Sequence, residues 1–348
     1  MDANLNEEQL ILRDTVAQLA ADLAPESPEQ LPAKDPGEKE WSLLAEMGLL
    51  GMRLPESAGG MPTSGVEVAL VAEELGSRAV PLPFIGSAIY SSSLLAAANA
   101  PAELLTSLAD GSRRFAPVLD PSLGRLAFRG EPGVAWETRG AEAGLALDAR
   151  TKRLVAIRLG EETMNGADLT RELRAVDAAA EALDVGNLGG AISDDALART
   201  LALTLAALSA DLVGQMRASL DAAVAHVRER VQFGVPVGTF QAVQHMAAEA
   251  HVSTEGARGL AWYAAWAVDE LDRREAMLAA RTAKAYCSEH ARFVVETAMQ
   301  MHGGVAFTWE YMVHVLVRRA LLGRQTLGDE HTQLDAISDL RSAAAPAS

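Results

Sequence analysis

A mainly α-helical protein with one small β region in its middle is the fold class this sequence predicts, and three observations predict it. Apolar residues recur every three or four positions from about residue 5 to 112, the period of an amphipathic helix. Between roughly 113 and 190 short β-type runs alternate instead with Gly, Pro and Asp. From about 191 onward helix-forming sequence resumes almost without a break. Three domains are therefore expected: an N-terminal helical domain over 1–112, a reduced middle β domain over 113–190 and a C-terminal helical bundle over 191–348.

In the first domain Leu10, Val16, Leu19 and Leu23 fall near one helix face, and Trp41, Leu44, Met47 and Leu50 repeat the spacing. Pro55 and the Gly59-Gly60 pair break the pattern before the run VEVALVAEELGSR, and Pro81 and Pro83 break it after. In the middle, RLAF (125–128), GLAL (144–147) and RLVAIRL (153–159) are the candidate strands, and GNLGGAIS (186–193) is the loop leading out. Then Leu205, Leu208, Leu212, Met216, Leu220, Val224 and Val227 keep a three-or-four spacing over more than six turns. A second helix is predicted at about 240–272, carrying Trp262, Tyr263 and Trp266, and a third at about 274–301, ended by Gly303-Gly304. Helices this long pack as a bundle.

Of the 348 residues, 49% are hydrophobic and 22% charged, enough for two or three cored domains. Thirty Lys and Arg against 47 Asp and Glu give a net charge of -17, which argues against a nucleic-acid partner. The first residues lack the basic start and apolar run of a signal peptide, and no uninterrupted apolar stretch of about 20 residues could span a bilayer, so a cytoplasmic protein without membrane attachment is expected. One cysteine, Cys287, excludes an internal disulfide or a multi-cysteine metal site and is expected to pack as a small apolar residue.

Two segments are more specific: ERVQFGVPVGTFQ at 229–241 and QMHGGVAFTWE at 300–310. Together with EEQLILRDTV (7–16), EWSLLAEMGLLGMRLPESAGG (40–60) and AEELGSR (72–78), they resemble motifs of the acyl-CoA dehydrogenase family over nearly the whole chain. The resemblance implies a helical lobe, a β-barrel-like middle domain and a four-helix bundle. It also implies FAD bound at a subunit interface and α,β-desaturation of an acyl-CoA thioester. In that chemistry a carboxylate removes the pro-R α-proton while flavin N5 takes a β-hydride. Arg230 then offers a forked cation to a pyrophosphate oxygen, Gln232 an amide and Phe233 an apolar face, with Gly234 ending the helix. Gln300 would bond adenosine or pyrophosphate atoms, and Gly303 and Gly304 would let backbone approach the cofactor. In the family these groups act in trans, on the FAD whose flavin end sits in the neighbouring subunit. Taken singly each has a plainer reading, since an arginine at a helix end complements the dipole and glycine pairs cap helices. His245 and His302 are read as packed histidines, and Trp262, Tyr263 and Trp266 as core or interface aromatics, with an acyl pocket also open. Thr308–Glu310 resembles the form found in family members from sterol-degrading bacteria, where Glu310 is not the base.

The sequence departs from the family pattern where the base belongs. Counting without gaps from Gly303 puts Leu327, followed by Gly328-Asp329, at one base position, and counting back from Val213-Gly214 puts Thr204, then Leu205, at the other. Neither is a base at neutral pH; a slip of two or three residues would bring Asp329 or Glu330 there instead. The middle domain is expected to lack the Thr-Glu-Pro-like loop and the Trp-x-Thr/Ser segment that hold the flavin ring, with Trp136 structural. The expected function is therefore the non-catalytic subunit of a hetero-oligomeric, α2β2-type acyl-CoA dehydrogenase, of the kind used in bacterial steroid degradation. A homologous catalytic subunit would supply base, flavin pocket and thioester site, and an electron-transferring flavoprotein is the family's usual acceptor. A self-sufficient homo-oligomer with a displaced base (Asp211, Asp329 or Glu330), a flavin-free scaffold and a base-free flavin monooxygenase remain alternatives.

Overall fold

The structure, a computed structural model, describes residues 4–31, 37–61 and 63–342; the outermost residues of the first and third expected domains, 1–3 and 343–348, lie outside that range. The chain opens with α1 (Glu7–Asp22), α2 (Glu38–Glu46) and α3 (Gly65–Ser77). Helices α1 and α3 each begin at a capping box, Asn6 with Gln9 and Ser64 with Glu67, which satisfies amides the first turn leaves open. In α1 the buried stripe runs through Val16 and Ala20, and Leu10, expected on the same face, is exposed. Eleven residues of α3 are buried, so it is an interior helix wrapped on all sides. After Pro81 and Pro83 the backbone winds into a wholly buried π-helical stretch, Phe84–Ser91, that continues as α4 (Ser92–Ala97), with α5 (Ala102–Ala109) closing the lobe.

A five-stranded sheet follows: β1 (Phe115–Leu119), β2 (Gly133–Trp136), β3 (Ala143–Leu147), β4 (Leu154–Ile157) and β5 (Leu173–Val176), in the order β4-β3-β1-β2-β5. Only the β1–β3 pair is parallel. The sequence located β3 and β4 but not β1, β2 or β5. The RLAF run enters the sheet only through isolated bridges, Leu126 to Leu119 and Phe128 to Leu147. Four-residue strands carry too little alternation to be recognised alone, and partners distant in sequence decide which segments pair.

The rest is helical: α6 (Asp194–Glu229), a small hairpin of β6 (Val231–Gln232) and β7 (Val235–Pro236), then α7 (Gln241–Glu270), α8 (Arg273–His302), α9 (Val313–Gln325) and α10 (Glu330–Ser342). The 36 residues of α6 are apolar and long enough to cross a bilayer, but here they form the buried centre of the bundle, packed by α3, α7, α8 and α9. At the α3–α6 crossing a Cβ on Gly214 would lie 2.1 Å from the Glu73 carbonyl oxygen, so the two backbones touch and only glycine fits. The expected mainly helical fold with a central sheet is the fold observed.

Where lobe, sheet and bundle meet, five charges are buried together. Arg171, just before β5, donates to Glu137 (2.8 Å) and to Asp211 on α6 (2.6 Å), and its side chain is 1% exposed. Arg319 on α9 donates to the other oxygen of Asp211 (2.7 Å), to the Thr170 hydroxyl (2.9 Å) and to the Val80 carbonyl (3.1 Å). Glu137 also accepts the Gly86 amide at 2.6 Å, and Asp168 lies 3.9 Å from Arg171. Burial alone would raise the Asp211 pKa, but the two arginines hold it below the usual carboxylate range. Removing one partner strands the others in low dielectric. We therefore expect Arg171→Met to cost about 3–5 kcal/mol in urea unfolding, against less than about 1 kcal/mol for an exposed arginine such as Arg230. A loss below about 1 kcal/mol at Arg171 would show that the cluster does not join the three parts.

Candidate functional site

Helix α6 ends at Arg230, whose amide bonds the His226 carbonyl, and the chain then turns back so that Val237 N–H meets the Arg230 carbonyl at 2.8 Å. Gln232 pairs with Val235 across a two-residue turn of Phe233 and Gly234, both at positive φ (54° and 81°) as a type I′ turn requires. Gly234 thus forms the hairpin turn rather than ending the helix, which stops at Glu229. Phe233 is 94% exposed in a conformation that costs a non-glycine residue free energy, and its ring meets only Phe240 edge-on at 6.3 Å. An aromatic ring both strained and solvated gains nothing from the fold around it.

Helix α8 ends beside this hairpin. Gly303 takes φ 73° and ψ -154°, a region almost restricted to glycine, and releases the chain into the turn at Gly303–Phe307. The rings of His226, one turn before Arg230, and His302, next to Gly303, stack at 4.8 Å, so the two helix ends are neighbours. Arg230, Gln232, Phe233, Gln300, Gly303 and Gly304 are all exposed at this end of the bundle. The Arg230 guanidinium has no salt bridge among the described residues, and the Gln232 amide donates to the Val231 carbonyl. A Cβ at Gly303 or Gly304 would meet nothing within 4 Å. An unengaged guanidinium, an open glycine backbone and a bare aromatic face suit the pyrophosphate and adenosine of a dinucleotide, presented outward rather than into a pocket of this chain. Phe307 and Trp309, exposed by 72% and 50%, extend the same apolar surface. Because Gly304 needs no positive φ and has free space, Gly304→Ala should leave the melting temperature unchanged while weakening FAD retention by the assembled protein; a loss of stability without a loss of FAD would show the glycine to be structural.

The two base positions are interior. Thr204 is fully buried on α6 with its hydroxyl donating to the Thr200 carbonyl, and Leu205 is fully buried beside it. Leu327 is 2% exposed at φ 56°, and its N–H donates at 2.6 Å to the carbonyl of Leu123, in the loop after β1. From the bundle side Gln333 donates to the Leu327 carbonyl at 2.6 Å, and Lys284 donates to the Gly328 carbonyl at 2.9 Å. The turn is thus clamped from above and below. The fallback bases are engaged as well: Asp329 caps α10 through the Thr332 amide and hydroxyl, which hold its pKa low, and Asp211 lies inside the buried cluster. Burial opposes the charge of Glu330, but its pairing with Arg324 through both carboxylate oxygens outweighs that and keeps its pKa below normal.

A Trp-x-Thr triplet is present after all, as Trp136-Glu137-Thr138 at the end of β2. It faces inward: Trp136 is fully buried beneath the Arg171 guanidinium, Glu137 belongs to the ion cluster, and Thr138 donates to Glu172 at 2.8 Å. Trp262 donates to Glu73 at 3.2 Å, while Tyr263 lines a cavity of about 490 Å³ with Leu260, Leu271 and Leu278. His245 is exposed and His302 is packed. Cys287 is fully buried, which pushes its thiol up to about 12.

The sequence reading missed Arg171, Arg319, Leu123 and Lys284. Lys284 is fully buried on α8, with Nζ donating to Ser288 Oγ (2.9 Å) and to the carbonyls of Arg324 (2.8 Å) and Gly328 (2.9 Å). Its position between two alanines in the run AARTAKAYC was the available signal. Burial pushes its pKa down to about 7. Between pH 7 and the normal lysine value near 10.5 the unfolded chain holds a proton the folded chain has shed, so stability should rise with pH there, by about 5 kcal/mol in all. Lys284→Met should flatten that rise in chemical unfolding; an equal slope in both proteins would contradict the assignment.

With the geometry in place, the comparisons with known proteins can be set beside it. Residues 6–111 match the family model of the acyl-CoA dehydrogenase N-terminal domain and residues 195–340 that of the C-terminal domain. Acyl-CoA dehydrogenase IpdE2 of Mycolicibacterium smegmatis is 30% identical over 95% of this chain and 97% of its own length. Among solved structures, a Tcur3481-Tcur3483 steroid ACAD variant has a TM-score of 0.85 at 26% identity, covering 98% of this chain and 99% of that one. The ChsE4-ChsE5 complex from Mycobacterium tuberculosis has a TM-score of 0.82 at 23% identity over the full length of both chains, a likeness of fold.

Proposed function

The chain belongs to the acyl-CoA dehydrogenase family, and from that membership we propose that it is the non-catalytic subunit of a hetero-oligomeric, FAD-dependent acyl-CoA dehydrogenase. Its partner is a homologous catalytic subunit in an α2β2 arrangement. One observation carries the reading: the Leu327 amide is bonded to the Leu123 carbonyl, so the place where a base, an acyl Cα–Cβ bond and a flavin ring would meet is closed by the chain's own backbone. The buried ion cluster fills the adjoining sheet–bundle junction, and Trp136, which could have faced a flavin, lies beneath it. No carboxylate near that place is free, since Asp211, Asp329 and Glu330 all have partners.

The opposite end of the site is intact. The bound FAD supplies the hydride-accepting centre of the desaturation. This chain's part is to hold its far end: Arg230 pairs with a pyrophosphate oxygen, Gln232 and Gln300 add amide bonds, Phe233 covers an apolar face, and Gly303-Gly304 gives backbone access. All six are exposed, and together they complete a pocket in the partner. A strained, exposed Phe233 is then explained by what it covers in the assembly. The likeness to a steroid ACAD and to the ChsE4-ChsE5 complex supports a steroid-type acyl-CoA substrate and an assembly of unlike subunits. An electron-transferring flavoprotein as acceptor and a cytoplasmic location complete the proposal.

The test is expression alone and together with candidate catalytic acyl-CoA dehydrogenase chains. The account expects colourless protein alone and yellow protein on co-expression, with FAD lost from the complex on Arg230→Ala. Full flavin content in this chain alone, with activity removed by Asp329→Asn or Glu330→Gln, would establish a self-sufficient enzyme instead. No flavin with any partner would leave a scaffold.

A further inference from the structure

The two segments assigned to the FAD end follow different helices, with Arg230 and Gln300 70 positions apart in sequence, and something must fix one against the other. Helices α6 and α8 pack side by side along most of their length, but at their shared end the apolar contact thins to Ala223, Val227, Ala298 and Met301. The two helix ends also meet through aromatic rings. His226 and His302 stack with centroids 4.8 Å apart and planes 21° from parallel. Tyr311, in the turn that follows Gly303–Phe307, stands edge-on to both rings, at 6.3 Å and 87° to His226 and at 6.1 Å and 68° to His302. Offset and edge-to-face arrangements of this kind are directional, unlike aliphatic packing.

We infer that His226, His302 and Tyr311 are positioning residues, which set the distance and rotation between the Arg230 hairpin and the Gly303-Gly304 turn so that both meet one FAD. The inference rests on the shared-site reading above. Position supports it. His226 lies one helical turn before Arg230, and its carbonyl accepts the Arg230 amide at 2.9 Å, so the ring and the guanidinium move together. His302 immediately precedes Gly303, and Tyr311 bonds back through its amide to the Thr308 carbonyl. A slide of α6 against α8 therefore shifts Arg230 relative to the open glycine backbone by the same amount.

Imidazole suits the task better than phenyl in one respect. His302 Nδ1 lies 2.8 Å from the Ala298 carbonyl, which fixes the ring's rotation and places its proton on Nδ1. Burial, and then the neighbouring His226, lower the His302 pKa, so the ring is neutral in the stacked state at neutral pH. None of the three side chains is itself among the groups assigned to touch FAD.

The experiment uses the co-expressed complex and free FAD as probe, with affinity read from flavin fluorescence after the cofactor is removed and added back. His226→Ala and His302→Ala should each weaken FAD binding by roughly tenfold or more, because a site held loosely by about an ångström loses most of its preorganisation. The double variant should be no worse than either single one, since both remove the same stack. His302→Phe should restore most of the affinity. The native mass and the melting temperature of the FAD-free complex should stay unchanged throughout. Wild-type affinity in both alanine variants, additive losses, or no rescue by Phe would overturn the positioning role alone. A wild-type complex that takes up no FAD would overturn the shared-site reading and this inference with it.

Discussion

Asp211 sits at the centre of the molecule with an arginine on each carboxylate oxygen, Arg171 from the sheet region and Arg319 from α9, and the arrangement of the three parts depends on that bidentate contact. Glu137 extends it to the first lobe through the Gly86 amide, and Arg319 reaches the Val80 carbonyl of the same lobe. Charges buried this deeply stabilise only when every partner is in place, so they act as a register device: the sheet can dock on the bundle in one way. A hydrophobic interface of equal area would tolerate sliding.

That docking has a chemical consequence. With the sheet drawn onto the bundle, the loop after β1 comes down on the turn before α10, and Leu123 bonds Leu327. Lys284 and Gln333 hold the same turn from beneath. That turn is thereby held by the chain's own polar groups, satisfied by one another. The proposed cofactor-holding groups lie at the far end of α6 and α8, where the backbone is strained, the glycines are open and the aromatic side chains face solvent. Under that proposal stability and function are separated in space, each using a different end of the same two helices.

The helices were legible because their signal is local and repeats. Leu205, Leu208, Leu212 and Met216 are all fully buried along α6, where the three-or-four spacing placed them. Leu10 failed because the buried stripe of a short helix depends on what packs against it; α1 packs on α3, and its buried residues are Val16 and Ala20. The two segments proposed to face the dinucleotide stood out as motifs since each is contiguous in sequence, and both are exposed. The ion cluster was not, because Arg171, Asp211 and Arg319 are far apart in the chain and each, taken alone, resembles a solvated charge. Trp136-Glu137-Thr138 shows the complementary limit: its letters fit a flavin-facing pattern, but letters do not reveal which side of a sheet a residue faces. The Glu137 φ of 58° turns that segment inward, toward Arg171.

The most direct measurement of the central claim is the number of FAD molecules per unlike pair in the intact complex, counted by native mass spectrometry with gentle desolvation. One FAD per pair is the result the closed Leu123–Leu327 junction predicts, since this chain then completes one site and contains none. Two FAD per pair would mean that a flavin enters this chain's own sheet–bundle junction, and the account would be wrong.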